Sequence, residues 1–466
     1  LRKLWNVEFD DAQAIGRHYD LYRDALFQTR VEELRWDEAA SRWILSTNHG
    51  DRIEARYVCL ATGPLNRPKL PGIPGIENFA GHSFHASRWD YRYAGGDSNG
   101  GLTGLRGKRG GIIGTGATAV QCVPHVGEWA EHLYVFQRTP SSIDVKNNPQ
   151  TDPAWAAAQE PGWHQQRMDN FNALVSGIPQ PVDLVNDGWT DLIGKLLVGM
   201  REGRNGDFSA SGIARAVELA DFEKMEEIRA RVASVVADPA TAEALKPYYR
   251  QFCKRPCFHN EYLDTFNRPN VTLVDTHGKG VERITEKGVV AGGREYELDC
   301  LIYASGFEVG TDYSRRAGFQ IHGRGGTSLG EKWAGGVRTL HGMHVHGFPN
   351  CFIMSNPQAG FTASYPHMLN EQAKHLAYII RKGIDEKWHA LEATPDAEQA
   401  WVDQCLAKAR NVGDFFENCT PGYYNNEGKV GERSAQDGFY GGGPVEFIKI
   451  LADWRAAGAL EGLEHR

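Results

Sequence analysis

The chain has 466 residues, of which 41% are hydrophobic and 24% charged, with a net charge of −8. That length suggests two or three domains. The composition is that of a soluble globular protein, with no apolar run long enough to cross a bilayer and no signal peptide. The negative balance argues against nucleic acid or an anionic membrane as a partner. The eight scattered cysteines, several in apolar strand contexts, read as small buried thiols in a reducing, cytoplasmic compartment.

The chain opens on leucine rather than methionine, as a fragment would. Residues 1–27 read as helical, with Ala12, Ile15 and His18-Tyr19 on one face. Short strands follow at 31–36, 43–47 and 53–60, joined by polar turns at 37–41 and 48–51, a β-meander. The last strand runs into Ala61-Thr62-Gly63, either a close approach of backbone to a cofactor or a plain turn. Pro68, Pro71 and Pro74 then form an extended linker.

The stretch 110–140 carries the strongest local signal. Gly111-Ile112-Ile113 is a short apolar strand, and Gly114-Thr115-Gly116-Ala117-Thr118-Ala119 is a glycine turn. Val120-Gln121-Cys122-Val123 continues with helical spacing, and Leu133-Tyr134-Val135-Phe136 is a second strand. Strand, glycine turn, helix and strand make a dinucleotide-binding unit. Gly114 permits the tight turn, Gly116 lets backbone approach a pyrophosphate, and Ala119 is small enough for close helix–strand packing. The helix N-terminus offers free N–H groups and partial positive charge to the phosphates. Arg138 stands just past the second strand, where NAD-binding units carry an acidic residue; a cation there favours the 2′-phosphate of NADP.

Residues 141–249 read as a mainly helical insertion. Its main element is an amphipathic helix over 214–237, with Ala216, Leu219, Phe222, Met225, Ile228 and Val232 on one side and Asp238-Pro239 as its stop. Strands resume at 271–274, 288–291 and 296–304; the last ends in Ala304-Ser305-Gly306, an echo of Ala61-Thr62-Gly63. A strand at 349–354 precedes helices at 366–382, 397–410 and 445–456, with Thr394-Pro395 giving cap and first-turn signals for the second.

The segment Phe79-x-Gly81-x-x-x-His85-x-x-x-Trp89-Asp90, standing directly before the glycine turn, resembles the fingerprint of Baeyer–Villiger monooxygenases. Ala61-Thr62-Gly63 and Gln137-Arg138-Thr139-Pro140 are similar to the same family, and the resemblance runs the length of the chain. It implies an α/β fold of two nucleotide-binding, Rossmann-like domains, with a discontinuous and N-terminally incomplete FAD domain. The expected division is 1–92 and 335–466 for FAD, 93–140 and 250–334 for NADP, and 141–249 for the insertion. No FAD glycine turn precedes Leu26, and the acidic partner of the catalytic arginine would lie in that absent part.

The resemblance also implies the reaction. NADPH reduces FAD, the reduced flavin takes O2 to a C4a-peroxide, and the peroxide attacks a ketone to give an ester or lactone. Peroxide anion and tetrahedral oxyanion both need a fixed cation. Lys254-Arg255 resembles the family's basic pair, so Arg255 is the expected catalytic residue and Lys254 joins Arg138 on the 2′-phosphate. Gly114, Thr115, Gly116, Ala117, Thr118, Ala119, Gln121, Thr139 and Tyr423 complete the expected NADP contacts; Tyr423 lies in what looks like the family's mobile aromatic loop. Val31, Ala61, Thr62, Gly63 and Met368 are the expected FAD contacts. His85 is expected to couple domains through their linkers, not to transfer protons.

Two metal readings are set aside. Cys253-x-x-x-Cys257-x-His259 has no second ligand pair, and His341, His344 and His346 have no evident carboxylate partner, so no metal is expected. The partners expected are a ketone and O2, with the chain a monomer or weak homodimer. Two alternatives stay open: a non-catalytic NADP-binding scaffold, and a flavin monooxygenase oxidising nitrogen or sulfur. The Lys-Arg-Pro-Cys-Phe-His segment resembles that of members taking bulky or large-ring ketones.

Overall fold

The computed structural model describes residues 5–148, 150–202, 209–354, 357–409, 413–428 and 433–466. Residues 1–4 of the expected first helix lie outside them. The largest sheet is parallel and five-stranded, in the order Val271–Asp275, His132–Gln137, Arg109–Ile113, Cys300–Tyr303, His82–His85. Helix Ala117–Trp129 crosses between Arg109–Ile113 and His132–Gln137, so the strand–turn–helix–strand unit is as expected. All four residues of Cys300–Tyr303 are buried, as in a parallel strand covered on both faces. Ala119, Val123 and Val126 pack on one face of the sheet, and Val274, Val289 and Leu298 on the other.

A second sheet runs Gln320–His322, Val31–Asp37, Arg42–Thr47, Arg52–Ala55. Its buried face carries Leu34, Trp36 and Trp43, and the Trp43 indole donates to the Pro349 carbonyl at 2.6 Å. Val58–Leu60 leaves the meander and pairs in parallel with Cys351–Ile353. Helices Tyr365–Asp385, Pro395–Lys408 and Gly443–Ala457 close an apolar core beside this pair. Thr394 caps the second of these helices by accepting from Ala397 N–H, with Pro395 in its first turn.

Several expectations are corrected. The strand expected over 53–60 is two strands in two sheets, and so is the one over 296–304, where Arg294–Glu297 belongs to a small antiparallel sheet and Cys300–Tyr303 to the parallel one. The boundary at 92 falls beyond the fingerprint strand His82–His85, which hydrogen-bonds to Cys300–Tyr303 as an edge of the dinucleotide sheet. On the NADP side of the expected boundary at 334, Gln320–His322 pairs with Val31–Asp37, and Tyr313, Leu329 and Trp333 join the tryptophan core beneath the meander. In the first helix, Trp5–His18, Ile15 is exposed, as is Tyr19 just past its end.

The cysteines are not all thiols. Cys253 and Cys419, 166 residues apart, form a disulfide, while Cys59 is exposed and Cys122 half-buried. In the insertion, helix Ala210–Val235 buries Ala216, Met225, Ile228 and Val232 but leaves Phe222 exposed. Asp238 does not only stop this helix; it caps the next, Pro239–Ala244. Lys224 is buried on the same helix and pairs with Asp144 at 2.6 Å and Asp191 at 2.9 Å. The ammonium thereby ties helix Gly188–Glu202 and the short strand Ile143–Asp144 to one point.

His341 and His344 are buried. They meet His375 in the interior, with ring centroids 5.6 and 5.9 Å from it. Neither ring nitrogen of His375 has a hydrogen-bond partner among the described residues. Burial lowers all three imidazoles, His341 to about 4 and His344 to about 3, and the Arg455 charge adds to the effect at His375. The unfolded chain protonates near the ordinary value of about 6.5, so these groups favour folding above that pH and progressively oppose it as pH falls toward 4. The melting temperature should therefore drop between pH 7 and pH 4, less steeply for His375→Leu. Thermal scans giving the variant the wild-type slope would remove the histidine cluster as the cause.

Candidate active site

The glycine turn is built as its residues require. Gly114 has φ +114°, and a Cβ there would lie 2.5 Å from the Ala304 carbonyl oxygen. Gly116 opens the helix with no side-chain cap, and nothing lies within 4 Å of where its Cβ would stand. Uncapped amides facing open space fit a pyrophosphate. Thr115 does not point outward: its hydroxyl donates to the Thr139 carbonyl at 2.7 Å, and Ser141 returns a bond to the Thr115 carbonyl. Gln121 bonds back to the Ala117 carbonyl.

The fingerprint residues act on backbone geometry. A Cβ at Gly81 would meet the Phe79 ring at 2.5 Å and the Asp299 carbonyl at 2.9 Å. His85 is buried, accepts from Ser87 N–H at Nδ1, and donates from Nε2 to the Gly306 carbonyl at 3.0 Å. Gly306 also accepts from Lys69 N–H, and the Ser305 hydroxyl donates to the Lys69 carbonyl. One imidazole thus joins the fingerprint to both connections between the sheets, and burial keeps its pKa low. Trp89 packs edge-on against Phe84, and Asp90 caps the turn Tyr91–Ala94 while accepting from His82.

Arg255 rides on a segment anchored at many points. Gln251 N–H donates to Asp221, and its side chain donates to the Ser142 hydroxyl. Asp221 is buried, and burial raises its pKa against the pull of Gln251 and Arg250. Cys253 is bonded to Cys419, and Cys257–Phe258 pairs in parallel with Ile143–Asp144. Arg231 donates to the carbonyls of Ile143 and His259. These contacts leave Arg255 lining a cleft of about 3220 Å³ together with Ala117, Thr118, Gln121, Tyr423 and Tyr424.

Arg138 and Lys254 converge near this cleft on a single carbonyl, that of Pro421, at 3.2 and 2.8 Å. Arg138 also pairs with Glu427 at 3.0 Å, and Lys69 reaches the same carboxylate at 3.4 Å. Burial, then the Arg138 charge, lowers Lys254 to about 8. On the other side, strand Val58–Leu60 ends at Ala61-Thr62-Gly63; Gly63 has φ +67° and open space where a Cβ would stand, and the Thr62 and Tyr313 hydroxyls lie 3.3 Å apart. That turn suits a cofactor approaching backbone. Val31 packs half-buried against the tryptophan core. Met368 is 1% exposed inside the helical core and does not line the cleft.

Lys69, Glu427, Gln251 and Asp221 were not foreseen, because none sits in a motif. The rejected metal runs look different in three dimensions. Cys253 is spent in the disulfide, and Cys257 is buried with its thiol pushed up to about 12. His346 does have carboxylate neighbours, Glu392 and Glu464, contrary to expectation. Glu392 already accepts from Arg324 and Gly347 N–H, and His346 Nδ1 bonds the Ala393 carbonyl.

No family model matches the chain. Whole-chain comparisons are informative. The chain is 58% identical to pentalenolactone D synthase of Streptomyces arenae over 461 residues, covering 98% of this chain and 78% of that one. It is 50% identical to Baeyer–Villiger monooxygenase ATR8 of Stachybotrys chlorohalonatus over 455 residues, 97% and 73% of the two. Among solved structures, a polycyclic ketone monooxygenase from Thermothelomyces thermophila superposes with a TM-score of 0.87 at 36% identity, covering 98% of this chain and 76% of that one. Among the described residues no helix is long and apolar enough to cross a membrane. The glycine turn, the fingerprint and the anchored arginine thus stand in a chain that belongs to the Baeyer–Villiger monooxygenases, enzymes that use FAD, NADPH and O2 to insert oxygen beside a ketone carbonyl.

Proposed function

We propose that Arg255 is the catalytic cation, that Arg138 and Lys254 hold the 2′-phosphate of NADPH, and that the substrate is a bulky, fused-ring ketone. The observation carrying the proposal is that Arg255 faces the same cleft as the uncapped helix end at Ala117-Thr118. When bound, FAD supplies electron transfer and oxygen activation; the chain supplies binding, orientation and charge. Gly114, Gly116 and the amides of Ala117, Thr118 and Ala119 cradle the NADP pyrophosphate. Thr115, Thr139 and Gln121 shape that turn by holding its backbone, and Tyr423 covers it from the cleft side. Ala61, Thr62 and Gly63 form the FAD-side turn, with Val31 packed behind; Met368 supports this region from the core.

Arg255 is suited to its role because a guanidinium stays charged at every working pH and forks toward oxygens. It steadies negative charge developing on oxygen beside the carbonyl and needs no proton of its own. The cleft wall is aromatic: Trp155, Phe171, Trp189, Phe258, Phe361 and Phe439 line it, and the last two stack with centroids 4.3 Å apart. Such a wall suits wide apolar substrates. It also fits the names of two relatives, a pentalenolactone D synthase and a polycyclic ketone monooxygenase.

We further assign residues from about 70 to 305, with the insertion 141–249, to the NADP-binding unit, and 31–66 with about 310–466 to the FAD-binding unit. This moves both expected boundaries to follow strand pairing. The net charge of −8 supports a chain that works without nucleic acid or an anionic membrane, and we read it as a monomer or weak homodimer. A cytoplasmic location fits the use of NADPH, while the Cys253–Cys419 disulfide points toward an oxidising compartment.

Arg255→Ala should lower ester formation at least about a hundredfold, as loss of an oxyanion-stabilising donor does, while NADP+ binding stays within a few-fold. Near-normal ester yield, by gas chromatography of products, would remove Arg255 from catalysis. Arg138→Ala should cut the preference for NADPH over NADH by about ten- to a hundredfold, the worth of one charge-assisted bond. Because Lys254 loses its proton near 8, NADP+ affinity should be full at pH 7, where the phosphate is dianionic, and weaken as pH rises through 8 to 9. Calorimetric titration should find that slope flattened in Lys254→Met; an equal slope would assign the titration elsewhere.

A further inference from the structure

The loop after Cys419 turns back on the cations assigned to the 2′-phosphate. Glu427 places one carboxylate oxygen 3.0 Å from Arg138 and the other 3.4 Å from Lys69. The Pro421 carbonyl takes a bond from each of Lys254 and Arg138. Oxygens of a single loop therefore engage three cations, as the oxygens of a phosphate monoester would. Burial raises the Glu427 pKa, but Arg138 and Lys69 pull harder and hold the group below the usual carboxylate range.

The backbone that delivers Glu427 is strained. Asn426 and Glu427 are consecutive non-glycine residues in the left-handed region, at φ 48° and 58°. Such geometry persists only where its surroundings over-determine it. Here Asn425 does part of that work: its side-chain oxygen accepts from Gly422 and Gly428 N–H, and its amide donates to the Phe416 and Cys419 carbonyls. The Glu427 N–H closes the turn on the Gly422 carbonyl at 2.7 Å. The Cys253–Cys419 bond fixes the loop base beside Lys254, and the loop's Tyr423 and Tyr424 lie near enough to Arg255 to feel its charge.

We propose that Glu427 is an internal stand-in for the 2′-phosphate, a specificity-determining residue that the phosphate must displace, so that filling the phosphate site frees the loop carrying Tyr423 and Tyr424. This rests on the reading of Arg138 and Lys254 as phosphate ligands. A cofactor without the phosphate leaves the Glu427 ion pairs intact and the loop where it is. The carboxylate thus taxes only a cofactor that carries the phosphate, and the dianion must recover the loss by taking over its cations.

The test is calorimetric titration of the full chain with adenosine 2′,5′-bisphosphate and with adenosine 5′-monophosphate, for wild type and Glu427→Gln. The bisphosphate should bind the variant about three- to tenfold more tightly than wild type, the size of two half-exposed ion pairs, with the monophosphate unchanged. Wild type binding both nucleotides equally would overturn the phosphate-site reading and the proposal with it. A wild type that prefers the bisphosphate, with no gain or a loss in the variant, would overturn the Glu427 role alone. Hydrogen exchange on wild type gives a readout that needs no variant. The bisphosphate, but not the monophosphate, should speed exchange of the 422–428 amides; unchanged or slower exchange overturns the proposal.

Discussion

Strand Cys300–Tyr303 is the constraint on which the site depends. It pairs in parallel on one side with Arg109–Ile113 and on the other with His82–His85. The first pairing sets the register of the glycine turn, whose Gly114 lies too close to the Ala304 carbonyl to carry any side chain. The second fixes the fingerprint strand, so that His85 reaches Gly306, two residues beyond Ala304. Glycine turn, fingerprint and inter-sheet connection thus share one hydrogen-bonded ladder. A one-residue slip of that ladder would turn every side chain on the strand to the opposite face and misplace all three together.

Features encoded by neighbours along the chain are legible in the amino-acid sequence itself. The 109–137 unit, the helical insertion and the closing helices each carry their own period, turn glycines or cap. What is not legible depends on which surface a segment meets. Residues 53–60 and 296–304 each read as one strand because no glycine or proline interrupts them, yet each changes sheets, at Arg56-Tyr57 and at Leu298-Asp299. Periodicity reports that residues alternate; it does not report which strand pairs with them. The same limit explains Phe222, on the expected apolar face but exposed.

The candidate site divides along the same line. Residues in local motifs, from Gly114 to Gln121, and Arg138, Lys254 and Arg255, can be named from sequence. Residues that hold those groups in place cannot. Cys253 and Cys419 lie 166 residues apart with no spacing to link them. Gln251 reaches Asp221 through its N–H and Ser142 through its side chain, and so joins helix Ala210–Val235 to the Ser142 segment at a residue no motif marks.

This separation bears on the division of labour we propose, one arginine for the reaction and its neighbours for the cofactor. Lys254 and Arg255 are adjacent in an extended segment, so their side chains leave the backbone on opposite sides. One reaches the Pro421 carbonyl beside Arg138, and the other lines the cleft with Tyr423 and Tyr424. The disulfide one residue earlier removes the freedom that would let the two exchange places, and the pairing of Cys257–Phe258 with Ile143–Asp144 fixes the other end. A dipeptide held at both ends can present a weakly basic ammonium to one site and a permanent guanidinium charge to the other. The ammonium can give up its proton near 8 without altering the charge that Arg255 presents to the cleft.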